Sequence, residues 1–161
     1  MAVHTHIAIA NRQRRFRINR APLRRLTTAL AAQAAAVRPC GQPWHTVTVI
    51  LVDDAGCAPL NRAIMHHDGA TDVITQRYAP LPGEPDGLVG ELIVNVERAW
   101  QVGARRRAWS PARELALYIA HGCDHLNDEE DATPAGRRRM RRRELRWLSR
   151  VRVPAHLLGR P

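Results

Sequence analysis

The chain has 161 residues, 45% of them apolar, which suits one domain with a real core and leaves no room for several. All 25 basic residues are arginine, and the net charge of +10 calls for an anionic partner: nucleic acid first, then an acidic protein or membrane surface. Cys40, Cys57 and Cys123 are odd in number, far apart and without a C-x-x-C pair, which excludes a disulfide framework and fits a reducing cytoplasm. No charged and apolar leader opens the chain, and no apolar run reaches membrane-span length, so a soluble, cytoplasmic protein is expected.

Val3 to Ala10 alternates and reads as a strand, with His4 and His6 together on its exposed face. Arg12, Arg14, Arg15 and Arg17 follow as a solvated edge, with contact to an RNA backbone as the second reading. Pro22 opens a helix rich in Ala and Leu that runs to Val37 and is stopped by Pro39, Gly41 and Pro43. Thr46 to Val52 carries the strongest strand signal, and its continuous apolar end predicts a central position. Asp53-Asp54 predicts the cap of a short helix from Ala55 to about Met65. Thr71 to Tyr78 and Leu88 to Val94 read as further strands, separated by a rigid loop with Pro80, Pro82, Gly83, Pro85 and Gly87. Asn95 caps a helix to about Arg107.

Ser110-Pro111 then starts a helix that is apolar on nearly every side after Glu114, the mark of a buried helix. His121 and His125 lie on it four residues apart, which places both imidazoles on one face. Buried histidines need partners, and a divalent metal serves both at once. The polar run Asn127 to Glu130 can end the helix and return the Asp131 carboxylate to that metal; its plainer reading is a solvated helix end. Cys123 is offset from both histidines and reads as a small buried residue. A last helix runs from near Pro134 to about Arg150, with a narrow apolar seam of Met140, Leu145 and Leu148 and Trp147 at its margin. Nine arginines fall within the sixteen residues Arg137 to Arg152, with only Glu144 to offset them. A purely structural helix gains nothing from that repulsion, and a nearby anion relieves it. Strands and helices interleave without a linker, so one domain over residues 1–161 is expected, with a single sheet and helices packed on it.

His121-Gly122-x-x-His125-Leu126, with a ligand-type residue six positions after the second histidine, resembles the YbeY family of bacterial metal-dependent endoribonucleases of ribosomal RNA maturation. The family pattern is His-Gly-x-x-His-Leu-x-x-x-x-His. Leu60-Asn61, Thr71-Asp72-Val73-Ile74 and Gly90-Glu91-Leu92-Ile93-Val94-Asn95 resemble other family segments in the same order, so the likeness runs from about Val3 to Leu148. The resemblance implies an α+β domain with a mixed four-stranded sheet. It also implies one Zn2+ held by His121, His125 and Asp131.

Three departures stand out. Asp131 replaces the third histidine, removing about one unit of positive charge from the centre, so that a bound water becomes a weaker acid. Two histidines and one carboxylate remain a known catalytic zinc set. Ile64-Met65 stands where relatives carry Tyr-Arg, an arginine ascribed to the active site, with Arg62 or Arg77 as stand-ins. Thr75-Gln76-Arg77 stands for Ser-Phe-Pro.

The first expectation is a metal-dependent endoribonuclease of ribosomal RNA, of reduced activity. Its metal-bound water would attack, Asp128, Glu129 or Glu130 would steady a ligand or move a proton, and Arg137, Arg138, Arg139, Arg141, Arg142 and Arg143 would hold the RNA. The second is a non-catalytic RNA- or ribosome-binding protein with a structural metal. The third is a hydrolase of some other ester or amide.

Overall fold

The computed structural model describes residues 4–38, 44–84 and 87–161. Val3, Pro39, Cys40, Gly41, Pro43 and Pro85 fall outside them. The order is β1 (His6–Asn11), α1 (Arg20–Ala36), β2 (Trp44–Val52), α2 (Asp54–Met65), β3 (Val73–Tyr78), β4 (Leu88–Asn95), α3 (Val96–Arg105), α4 (Pro111–Leu126) and α5 (Pro134–Ser149).

The four strands form one mixed sheet in the order β1-β2-β4-β3. β1, β2 and β4 are parallel, and edge strand β3 runs antiparallel to β4. β2 is central, as its apolar run predicts, because both of its faces are covered. Val47, Val49 and Leu51 point into the larger core with α1, α3, α4 and α5, while Ile50 and Val52 point to a smaller core under α2. β4 repeats the alternation with Leu92 and Val94 against Ile93.

The helix starts follow their caps. Asp53, Asn95, Ser110 and Thr133 each accept a hydrogen bond from a backbone N–H of the first helical turn. α4 is the buried spine of the larger core, with Leu115, Leu117 and Ile119 fully enclosed. Its approach to the sheet is close at Gly122, where an added Cβ would stand 2.8 Å from the Leu92 side chain.

α5 differs from its predicted seam. Met140 and Leu148 are buried, but Trp147 joins them at 2% exposure while Leu145 lies 38% exposed. Between them sits Glu144, at 1% exposure. A buried carboxylate needs a partner, and that partner lies on α4.

Candidate metal centre

The end of α4 is built by its polar run, as the sequence predicts. Asn127 and Asp128 donate their backbone N–H groups to the carbonyls of Asp124 and His125. Asp128 takes a left-handed conformation (φ 64°), which aspartate tolerates better than most residues. The chain thereby reverses and carries Glu129 to Asp131 back over the histidines. Gly136 admits the returning loop: a Cβ there would lie 2.7 Å from the Glu130 carbonyl oxygen.

His121, His125 and Asp131 come together, each offering a ligand atom within 4.8 Å of the others. The two histidine Nε2 atoms are 3.0 Å apart. Asp131 oxygens lie 3.7 Å from His121 Nε2 and 4.0 Å from His125 Nε2. Three tetrahedral ligands around zinc would stand about 3.3 Å apart, so this triangle is close to that size. The side chains are 15%, 24% and 41% exposed, leaving one side open to solvent.

The other ring nitrogens decide the fit. His121 Nδ1 lies 2.6 Å from Glu144 Oε1, and His125 Nδ1 lies 2.8 Å from the Glu129 carbonyl oxygen. Both partners are acceptors, so both Nδ1 atoms carry the proton in neutral rings. The two Nε2 lone pairs then face each other, next to a carboxylate. A divalent cation between the members would satisfy both lone pairs at once, and the donor set fits one. Burial works against a charged His121, but the Glu144 hydrogen bond and charge, with Asp72 and Asp131 behind them, prevail and raise its pKa.

A second ion cluster braces the site from beneath. Arg143 reaches fully buried Asp124 with Nε at 3.0 and 3.1 Å and Nη2 at 2.8 Å, and meets Glu129 at 3.2 Å. One guanidinium thus ties α4, the loop and α5 together. Burial raises the Asp124 pKa even against Arg143. For Glu129 the arginines outweigh burial and lower it. Burial pushes the Cys123 thiol up to about 12, so no thiolate competes as a ligand near neutral pH.

A cleft of about 610 Å³ opens over the centre, lined by Asp72, His121, Asp131 and Glu144 and by Arg137, Arg138, Arg141 and Arg142. Six arginines were expected to hold RNA, and the structure sorts them. Arg138 and Arg142 line the cleft and have no acidic partner among the described residues. Arg141 stands 3.8 Å from Glu144, and Arg137 donates to the Asp131 carbonyl. Arg139 pairs with Glu129. Arg143 departs from the expectation: it is 19% exposed and engaged inside the fold.

Of the three loop acids, Glu129 touches a histidine, and through its backbone. Asp128 pairs with Arg77 at 2.6 Å, and Glu130 is exposed. Arg77 therefore lies beside the end of α4, whereas Arg62 pairs with exposed Asp68. His4 and His6 are exposed, as their strand face predicts. In the arginine edge, Arg15 is paired with Glu97.

Sequence reasoning missed Glu144 and Asp72. Glu144 had one signal, its position as the lone acid in an arginine helix. Asp72 had a place in a recognised segment but no assigned role. Its Oδ1 accepts from Val73 N–H at 2.8 Å, and its charge acts on His121.

Fold and site together define a mixed α+β protein in which two histidines and one carboxylate, placed to hold a metal ion, lie in a basic cleft. The family model described as "Endoribonuclease YbeY" matches residues 8–152, and the chain belongs to that family. Proteins named Endoribonuclease YbeY include one from Rhodopirellula baltica, 38% identical over 76% of this chain and 61% of the relative. Another, from Anaeromyxobacter sp., is 34% identical over 78% of this chain and 62% of its own. The chain thus spans about three fifths of these two relatives. A third, from Moorella thermoacetica, is 34% identical over 89% of this chain and 96% of its own. The solution structure of TM1509 from Thermotoga maritima shares the fold, with a TM-score of 0.55 and 18% identity over 89% of this chain and 87% of that one. Among the described residues no helix is long and apolar enough to cross a membrane.

Proposed function

We propose that the chain is a metal-dependent endoribonuclease acting on ribosomal RNA in the cytoplasm. The observation that carries this reading is the open triangle of His121, His125 and Asp131 at the base of an arginine-walled cleft. A structural zinc site is closed by a fourth protein ligand, whereas a catalytic site keeps a position free. Zn2+ fits the donor set, and a bound divalent ion supplies a water of lowered pKa and a Lewis acid for a phosphoryl oxygen.

The chain's own groups do the rest. Glu144 and the Glu129 carbonyl hold the protons on the two Nδ1 atoms and so present both Nε2 atoms as ligands. Arg138, Arg141 and Arg142 bind the phosphates flanking the scissile bond and orient the strand over the cleft. Asp131 contributes a negative charge where a family histidine would be neutral, which gives slower turnover than in a three-histidine relative.

The test is cleavage of a structured ribosomal RNA fragment by zinc-loaded protein, with and without EDTA. Metal-dependent scission supports the reading. Tight RNA binding with no scission, unchanged by EDTA, replaces it with a non-catalytic RNA-binding protein.

A further inference from the structure

The arginines of α5 divide by partner. Arg137, Arg139, Arg141 and Arg143 each meet an acid or a loop carbonyl. Arg138, Arg142, Arg146 and Arg150 are exposed, and none has an acidic partner among the described residues. These four recur every fourth residue. On a helix they form one row, about 6 Å per step and about 18 Å long. Like charges at this spacing repel one another, and among the described residues no acidic side chain offsets them.

The row joins two concavities. Arg138 and Arg142 line the metal cleft. Arg150 lines a second groove of about 870 Å³ between α1 and the segment after α5, where Arg152 and His156 share the lining with Arg25 of α1. Arg25 and Arg152 are also exposed and without acidic partners among the described residues.

Resting on the nuclease reading of the cleft, we propose that this row is a track for the RNA backbone. An RNA strand entering the metal cleft continues along Arg142, Arg146 and Arg150 into the second groove. A polyanion of regular charge spacing fits a regular row of cations that runs on from a phosphodiester site. No aromatic ring stands on the row, since Trp147 is buried. Contact is therefore to phosphates and independent of sequence. The track makes this chain prefer long RNA over short.

The test uses zinc-loaded full chain, fluorescence anisotropy, and two labelled single-stranded RNAs of about five and fifteen nucleotides, bracketing the lower and upper reach of a basic groove. The variant is Arg146→Gln/Arg150→Gln/Arg152→Gln. It should keep its metal and its binding and cleavage of the short RNA. Affinity for the long RNA should fall tenfold or more. The slope of log affinity against log salt should lose about 2, at roughly 0.7 per phosphate contact. An unchanged slope and affinity, with cleavage by the parent intact, overturns the track alone. A parent that binds the long RNA along the row without cutting it supports the track and defeats the nuclease reading. A parent that binds neither RNA overturns both. Poly-glutamate that displaces the long RNA at equal charge concentration assigns the row to an acidic protein and overturns the track.

Discussion

α4 and α5 are both sixteen residues long, both start at a hydroxyl cap followed by proline, and both contribute to the candidate metal centre. They do so by opposite means. α4 is sunk in the core, and its two histidines are placed by apolar packing on every side. Half of α5 is charged, and beside its buried Met140, Trp147 and Leu148, ion pairs through Glu144 and Arg143 fix it in place. The comparison teaches that ligand position and ligand orientation are separate tasks. α4 sets where the histidines are; Glu144 of α5 sets which nitrogen His121 presents, and the Glu129 carbonyl of the loop does so for His125.

That division can be broken most severely at Arg143. Arg143→Ala leaves the Asp124 carboxylate buried without its cation, and breaking a buried pair in this way costs about 3–5 kcal/mol. Denaturant melts of the variant should show that loss. A change under 1 kcal/mol, roughly a surface-pair value, would mean that α5 is not held by this cluster.

Glu144 tests orientation without removing a ligand. Glu144→Gln keeps the shape but weakens the hold on His121 Nδ1, and zinc affinity should fall about tenfold, the low end for partners of metal-bound histidines. Competition against a coloured chelator measures it. Parent-like affinity would leave α4 packing to orient the ring alone.

Gly136 tests the loop between the two helices. An alanine Cβ would run into the Glu130 carbonyl and push the loop, Asp131 with it. Zinc affinity of Gly136→Ala should fall between the parent and a variant without Asp131. At the weakest end, Arg146→Gln removes a side chain with no acidic partner among the described residues and should change stability by no more than about 0.5 kcal/mol. A larger loss would mean that the outer row has a structural task.

Much of this was legible in the chain. The caps at Asp53, Asn95 and Ser110 act within one turn, so local sequence is enough to place those helices. The i, i+4 histidines and the turn at Asn127 to Glu130 are local too, and Asp131 arrives as they predict. Glu144 was not legible as a partner, because it is 23 residues from His121 and meets it only after α5 folds back. The same contact explains the error in the α5 seam. Hydrophobicity favours Leu145 for the inner face, but the bond to His121 draws Glu144 inward, which turns Leu145 out and buries Trp147. Arg143 is hidden among six similar neighbours, and nothing in the sequence separates the one that faces Asp124 from those that face solvent.

The central claim is that His121, His125 and Asp131 form one metal centre, and zinc binding to the Asp131 series tests it most directly. Titration of metal-free protein should give one zinc per chain in the parent and sharply weaker binding in Asp131→Ala. Asp131→Asn should fall between them, because the ligand charge is gone while its size is nearly kept. Asp131→His should retain zinc, since a neutral imidazole is itself a good ligand. Asp131→Ala that binds one zinc as tightly as the parent would contradict the account and send the search for a third ligand to other residues.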